Sequence, residues 1–131
     1  MAGEPRFRFT KIVVDDLDAQ AAFYSAVLGQ VVGHRFGGGE GDGVFEEVVM
    51  GPARGDDGPS LLLVRYPRRR TPRPGEAVLG FAVADVDETV RAAEAAGGVV
   101  RAEPRFLPQV AMRVARVEDP EGHLLEIVQQ V

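Results

Sequence analysis

The chain has 131 residues, of which 45% are apolar and 27% charged, with a formal net charge of −5. This length and composition predict a single folded domain over residues 1–131 and exclude a disordered chain. The acidic balance argues against a nucleic-acid partner, and the lack of cysteine excludes disulfides, thiolate metal sites and cysteine nucleophiles.

The sequence also bears on where the protein works. No apolar run approaches the roughly 18 residues that span a membrane, and the first six residues lack the apolar core of a secretory signal. Together with the absence of cysteine, this predicts a cytoplasmic protein with no membrane partner. The large excess of arginine over lysine is typical of a GC-rich bacterial genome.

The first half of the chain reads as a strand, a helix and three further strands. β-branched and aromatic residues predict the first strand over 7–14. An i, i+3, i+4 apolar pattern predicts a helix over 19–28, which Asp16 or Asp18 caps and Gly29 ends. The three strands that follow are predicted at 30–36, 44–50 and 60–66.

Two segments between these strands, 37–43 and 51–59, are too rich in glycine, proline and aspartate for regular structure. The first has enough freedom to move as a lid, or is simply mobile. Phe36 and Phe45 flank it and can stack on a planar ligand. Glu46 and Glu47 point to opposite faces of the strand that follows.

A proline-stiffened, basic linker is predicted over 68–75, where it is either a solvated connection or an anion-binding rim. The second half then repeats the order of the first. Its predicted elements are a strand at 78–83, a cap within 85–87, a helix at 88–96 ended by Gly97-Gly98, strands at 99–104, 110–117 and 124–129, and a tight turn over 119–122 between the last two strands.

The two halves match directly when the sequence is shifted onto itself. No gap is needed for Val14 to meet Val83, Asp16 to meet Asp85, Asp18 to meet Asp87 and Gly29 to meet Gly98. The match preserves the order strand, acidic turn, helix, glycine, strand. It predicts two copies of one module, the first over about 6–67 and the second over about 76–131.

Three segments carry a resemblance to a known family. The segment 15–29, with its Phe-Tyr and Leu-Gly pairs, resembles the opening signature of the vicinal oxygen chelate superfamily, which includes glyoxalases, bleomycin-resistance proteins and extradiol dioxygenases. The segment 119–126, Asp-Pro-Glu-Gly followed by Glu126, resembles its closing signature, and 81–87 resembles the start of its second module. The resemblance implies an α+β fold in which two βαβββ modules form curved mixed sheets around a pocket, with the helices outside. It also implies a homodimer.

Enzymes of the resembled family usually hold a divalent metal with His or Glu on the first and last strand of each module, where the metal acts as a Lewis acid. Transferred to this chain one at a time, those positions are Phe9, Leu63 (or a neighbour, if the register slips by one), Val78 and Glu126. One carboxylate cannot hold a catalytic divalent ion against water. We therefore predict no metal and no cofactor.

Strand alternation predicts which side chains line the pocket. Phe9 and Lys11 share the inward face of the first strand, whereas Ile12 and Val14 face the helix. Lys11, the only lysine, is predicted to pair with Glu126 or to extend to the rim. The ligand-binding candidates are Phe9, Lys11, Phe36, Phe45, Leu63, Val78, Gly80 and Glu126.

Three functions stay open, and whether the chain is an enzyme is one of the open questions. The first is a protein that binds a small, partly apolar molecule in a metal-free cup. The second is a metal-independent isomerase, lyase or hydrolase, with a desolvated Glu126 or the imidazole of His34 as catalytic base. The third is a metal-dependent glyoxalase-like lyase or dioxygenase, which requires that the metal positions are misaligned. His123 is predicted to be a polar residue that flanks the turn, and Arg113 and Arg116 to face opposite ways.

Overall fold

A computed structural model describes residues 3–53 and 58–131. Residues 54–57, part of the irregular segment predicted over 51–59, lie outside the described residues. The elements in chain order are β1 (Phe9–Val13), α1 (Leu17–Leu28), β2 (Val31–Gly38), a 3₁₀ turn (Gly41–Gly43), β3 (Phe45–Gly51), β4 (Ser60–Arg65), β5 (Val78–Ala82), α2 (Val86–Ala95), β6 (Val99–Leu107), β7 (Met112–Glu118) and β8 (Leu124–Gln130). The strands and helices predicted from the sequence are all present, with their ends shifted by a few residues.

The strands form two four-stranded sheets of identical topology. The first has the order β1-β4-β3-β2 and the second β5-β8-β7-β6. In each, the first strand of the half runs parallel to the last, and the other neighbours are antiparallel. The predicted repeat is confirmed as two βαβββ modules, and the predicted α+β class with them.

By contacts, the chain divides into two compact units. The first contains Met1–Ala21 and Gly29–Thr71, and the second contains Ala22–Leu28 and Pro72–Val131. The first sheet therefore belongs to one unit and the second sheet to the other. Among residues 3–53 and 58–131, no helix has both the length and the apolar sequence that crossing a bilayer requires.

Capping residues fix both ends of the helices. The Asp16 carboxylate accepts a hydrogen bond from the Ala19 amide at 3.0 Å, and that of Asp85 accepts one from the Glu88 amide at 3.1 Å. Of the two candidates for the first cap, Asp16 is thus the capping residue. Gly29 (φ 64°) follows α1 in the left-handed conformation that favours glycine, which confirms its predicted role.

Strand β6 is longer than the sequence predicted. The prediction ended it at Pro104, but the strand continues to Leu107 across a register irregularity between Ala102 and Arg105. Pro104 has no amide hydrogen to donate. It can lie within β6 because β6 is an edge strand, where one side of the backbone has no neighbouring strand. The tight turn before β8 forms as predicted, with the Gly122 amide donating to the Asp119 carbonyl at 2.9 Å.

Each unit has its own buried core. In the first unit the fully buried side chains include Val14, Val48, Met50 and Leu63. In the second unit α2 buries Val86, Val90 and Ala93, one stripe at i, i+4 and i+7, and packs on β6, β7 and β8. Leu125 and Ile127 of β8 are buried in the same unit. In each unit, one face of the sheet thus contributes its side chains to the core.

Candidate functional site

The register of the first sheet sorts its side chains into two faces. Cross-strand partners share a face of the sheet. Two rows of partners therefore lie on one face: Lys11, Leu62, Val49 and His34 in the first, and Val13, Val64, Glu47 and Phe36 in the second. With Phe9 and Phe45 they form what we call the Lys11 face. The opposite, Ile12 face carries Ile12 and Leu63, both buried. The predicted alternation along β1 is confirmed.

The fourth-strand position predicted at Leu63 is wrong by one residue. Leu63 pairs with Ile12 and is fully buried on the Ile12 face, so it cannot line a site shared with Phe9. The neighbour on the Lys11 face is Leu62, which pairs with Lys11. The slip arises because four consecutive apolar residues hide the alternation from which register is read. The chemical conclusion is unchanged, since both side chains are hydrocarbon.

An ion pair lies near the centre of the Lys11 face. The Lys11 Nζ is 3.0 Å from the Glu47 Oε1, and the Glu47 side chain is only 3% exposed whereas that of Lys11 is 40% exposed. The sequence predicted Glu126 as the partner of Lys11, but each of these two residues has a partner in its own unit. The sequence predicted that Glu46 and Glu47 point to opposite faces of their strand, but it did not show that the Glu47 carboxylate reaches Lys11.

Three aromatic rings adjoin the ion pair. The His34 and Phe36 rings stack with centroids 5.3 Å apart and planes at 25°, and the Phe36 and Phe45 rings meet edge to face at 5.8 Å. Phe36 is the cross-strand partner of Glu47, so the rings continue the surface on which the ion pair lies. The structure thus brings four sequence candidates onto one face with Glu47: Lys11, His34, Phe36 and Phe45.

A side-chain hydrogen bond from Arg69 holds the glycine-rich segment between Phe36 and Phe45. The Arg69 Nε donates to the Asp42 carbonyl at 2.9 Å, and the guanidinium lies 4.6 Å from the centroid of the Tyr66 ring. Gly39 has φ 83°, and a Cβ there would collide with the Gly43 carbonyl. One arginine of the predicted linker therefore holds the turn that precedes Phe45.

The second sheet presents Glu126 differently from the prediction. Gly80, Glu126 and Arg116 are cross-strand partners, and the Arg116 Nε lies 3.5 Å from the Glu126 Oε2. The Glu126 side chain is 39% exposed, so within its unit it is paired with a cation rather than desolvated as predicted. Arg113 faces the other way and contacts Asp87 of α2 at 2.9 Å, which confirms the predicted parity of the two arginines.

The residues at the metal positions of the resembled family do not fit a divalent ion. Phe9, Leu62 and Val78 offer no oxygen or nitrogen ligand from their side chains, and Glu126 is engaged by Arg116. Within residues 3–53 and 58–131, no three His, Asp or Glu side chains are grouped so that they could hold one ion. A tightly held divalent cation needs about three or more such ligands. These positions therefore present three hydrocarbon side chains and one carboxylate that is already paired with an arginine.

A buried polar cluster lies in the second unit. The Asp119 Oδ2 accepts a 2.7 Å hydrogen bond from the Tyr24 hydroxyl, and the His123 Nδ1 lies 2.9 Å from the same oxygen. The Asp119 Oδ1 accepts from the amides of Glu121 and His123, both at 2.9 Å. Tyr24 belongs to the opening signature and Asp119 to the closing one, so these motifs hold the fold together. The predicted turn-flanking role of His123 is confirmed.

Electrostatics supports a structural role for this cluster. Burial raises the pKa of Tyr24 far above its usual range, and the neighbouring Asp119 carboxylate adds to that effect. Burial alone would raise the pKa of Asp119, but the hydrogen bonds from His123 and Tyr24 and the charge of His123 outweigh it, so this pKa is lowered. Tyr24 thus stays protonated and Asp119 ionised, as fixed donor and acceptor.

Comparison with solved structures places the fold among glyoxalase-like proteins. A glyoxalase family protein from Bacillus cereus is 21% identical over 100% of this chain and 99% of its own, with a TM-score of 0.81. The trypanothione-dependent glyoxalase I of Leishmania major is 24% identical over 97% of this chain and 88% of its own, with a TM-score of 0.76. A glyoxalase I mutant from Zea mays is 21% identical over 93% of this chain, with a TM-score of 0.76, and the match covers 46% of that protein.

This chain spans about half the length of the maize protein, and identities this low show the fold alone. No curated protein matches the chain. The sequence profile described as Glyoxalase/Bleomycin resistance protein/Dioxygenase superfamily, however, matches residues 6–127, nearly the whole sequence. The match covers both βαβββ modules and both signature motifs, so the chain belongs to the Glyoxalase/Bleomycin resistance protein/Dioxygenase superfamily.

Proposed function

We propose that this protein binds a small, partly apolar molecule on the Lys11 face, without the metal that enzymes of the family use. The observation that carries the proposal is the Lys11–Glu47 pair beside the stacked rings of His34 and Phe36. Phe9 and Phe36 leave 51% and 41% of their surface exposed. Exposed apolar groups beside a few fixed polar ones are the usual make-up of a ligand site.

The non-ligating side chain at Phe9 supports the metal-free form of this function. Phe9 is a half-exposed apolar residue at a position where a metal enzyme of the family would have His or Glu. Such a residue contacts a ligand by shape and apolar burial rather than by coordination. No cofactor is required for binding of this kind.

The test is a thermal-shift screen of small aromatic and aliphatic molecules. A ligand at about 100 times its Kd should stabilise the protein by about 2.7 kcal/mol, which is roughly 10 °C for a chain of this length. Phe36→Ala should weaken binding roughly three- to tenfold, the contribution expected of one aromatic contact.

Phe106→Ala is the matched control for this variant. Phe106 is also an exposed phenylalanine on an edge strand, but of the second sheet. It should leave the affinity unchanged. A broad library without any shift, or equal effects of the two variants, would contradict the proposed site.

A second candidate function is a metal-independent isomerase, lyase or hydrolase. The observation that favours it is the exposed imidazole of His34 on the same face as Lys11, where a ligand bound beside the ammonium can reach it. Glu126, with its Arg116 partner, is the other candidate base. His34→Asn and Glu126→Gln variants that bind ligand but lose turnover would support this function, whereas unchanged turnover in both would remove it.

We also propose that the protein acts as a cytoplasmic homodimer. Large apolar side chains are exposed on an edge strand of each sheet, among them Val31 of β2 and Val99 of β6. Apolar surface of this kind is characteristic of interfaces. Light scattering coupled to size-exclusion chromatography tests this directly, because a mass of one chain at micromolar concentration would contradict it.

A further inference from the structure

We infer that the ligand is a small aromatic oxyanion, such as an aryl carboxylate, with its ring against Phe36 and its charged oxygens on the Lys11 ammonium. This inference rests on the proposed function and adds the chemical class of the ligand. It comes from the unequal exposure of the two charges in the Lys11–Glu47 pair and from the register that places the rings beside them.

The charge that a ligand meets on this face is positive. Glu47 is 3% exposed and Lys11 is 40% exposed, so the carboxylate lies beneath and the ammonium reaches the surface. An ammonium has three N–H donors, and the Glu47 Oε1 is the single ion-pair partner of Lys11 within the described residues. Donors therefore remain for an oxygen of the ligand.

The rest of the face carries no competing acid. Along β1, β4, β3 and β2 its side chains are Phe9, Lys11, Val13, Ser60, Leu62, Val64, Phe45, Glu47, Val49, Val31, His34 and Phe36, and Glu47 is the acidic one. Among the polar groups that these strands expose, a ligand cation would meet the ammonium of Lys11 and the imidazole of His34. An anion, in contrast, would accept hydrogen bonds from the Lys11 ammonium.

The spacing favours a compact ligand. Lys11 lies on β1 but its ammonium contacts Glu47 on β3, so the side chain crosses β4 toward the strand next to Phe36. Neighbouring strands are about 4.8 Å apart, so a ligand that reaches from the Phe36 ring to the ammonium spans about one strand spacing, which favours an acid with one or two rings. The Phe36 ring stacks on His34 and meets Phe45 edge to face, and it is still 41% exposed, so it offers a surface for stacking.

The test measures the binding of three probes to the full-length chain by titration calorimetry at pH 7.5. The probes are 2-naphthoate, the uncharged 2-naphthamide with the same ring, and cyclohexanecarboxylate with the charge but no aromatic ring. Naphthoate should bind about tenfold tighter than naphthamide, the lower end of what one charge-assisted hydrogen bond supplies. It should bind roughly three- to tenfold tighter than cyclohexanecarboxylate, which lacks the aromatic contact.

Variants of the ion pair separate recognition from folding. Lys11→Met alone leaves the buried Glu47 carboxylate without its ion-pair partner and is expected to lower the free energy of unfolding. The informative variant therefore combines Lys11→Met with Glu47→Met, which removes both charges. It should lose the preference for naphthoate over naphthamide. Glu47→Gln keeps a hydrogen-bond acceptor for Lys11 but removes the compensating charge, so it should bind naphthoate several-fold more tightly than the wild type.

Arg35→Gln is the control for general electrostatic effects, because Arg35 is a cation on the same sheet but on the Ile12 face, where it contacts Asp18 at 2.8 Å. It should leave the preference intact. Equal binding of naphthoate and naphthamide, or a preference that survives in the double variant, would overturn the inference while binding itself would still support the proposed function. Failure of all three probes overturns the inference as well, and the proposed function then stands or falls with the broad screen.

Discussion

Replacing Tyr24 by Phe removes a single oxygen atom from a fully buried side chain. The Tyr24 hydroxyl donates a 2.7 Å hydrogen bond to the Asp119 carboxylate, whose pKa is lowered partly by that bond. A hydrogen bond to a charged group contributes about 1.5–3 kcal/mol to folding, and Phe preserves the ring and its packing. We therefore expect Tyr24→Phe to lower the free energy of unfolding by about 2 kcal/mol and the melting temperature by roughly 5–10 °C.

Urea unfolding followed by circular dichroism at pH 7 measures this change, and Tyr66→Phe is the control. Tyr66 is half-buried, and its ring contacts Arg69, but its hydroxyl has no hydrogen-bond partner within residues 3–53 and 58–131. This variant should fall within about 0.5 kcal/mol of the wild type. If Tyr24→Phe changes the free energy of unfolding as little as Tyr66→Phe does, the hydrogen bond between the two signature motifs does not stabilise the fold, and the structural role inferred for the cluster is wrong.

Two further predictions concern the pH dependence of stability and the packing around Gly98. The lowered pKa of Asp119 means that its ionised form favours folding above about pH 4 and that this contribution is lost as the pH falls through the folded-state pKa. The stability gap between the wild type and Asp119→Asn should therefore narrow in acid, and a constant gap in urea titrations from pH 7 to 3 would contradict this. A Cβ on Gly98 would lie 2.6 Å from the Glu118 carbonyl and 2.9 Å from that of Ala93, so Gly98→Ala should cost about 1–3 kcal/mol. Gly80→Ala meets nothing within 4 Å and should be close to neutral; equal melting temperatures of the two variants would refute the packing argument.

Local pattern was sufficient to predict the secondary structure and the repeat. Capping by Asp16 and Asp85 and the glycine after α1 depend on residues adjacent in sequence, and these were predictable. The two-residue period of a strand was sufficient to predict that Phe9 and Lys11 share one face of β1 and that Ile12 lies on the other. Register failed by one residue at Leu63, where the strand is apolar on both faces.

The ion pair of the candidate site could not be predicted from local pattern. Whether Lys11 contacts Glu47 or Glu126 depends on how far a long, flexible side chain reaches across neighbouring strands, and sequence spacing does not contain that information. The aromatic cluster was half accessible: Phe36 and Phe45 were recognised as flanking one segment, but the stacking of the His34 ring on Phe36, two residues further along the same strand, depends on side-chain rotamers that sequence spacing does not show.

The hydrogen bond between Tyr24 and Asp119 joins residues 95 positions apart. On the ribosome, the helix that carries Tyr24 emerges long before the turn that carries Asp119, so the acceptor for its hydroxyl does not yet exist. The latter half of that helix, residues 22–28, belongs with the second unit rather than with the strand made just before it. Completion of the native state is thus deferred until the turn at Asp119 has been synthesised, and a nascent chain arrested earlier will hold Tyr24 without its hydrogen-bond acceptor.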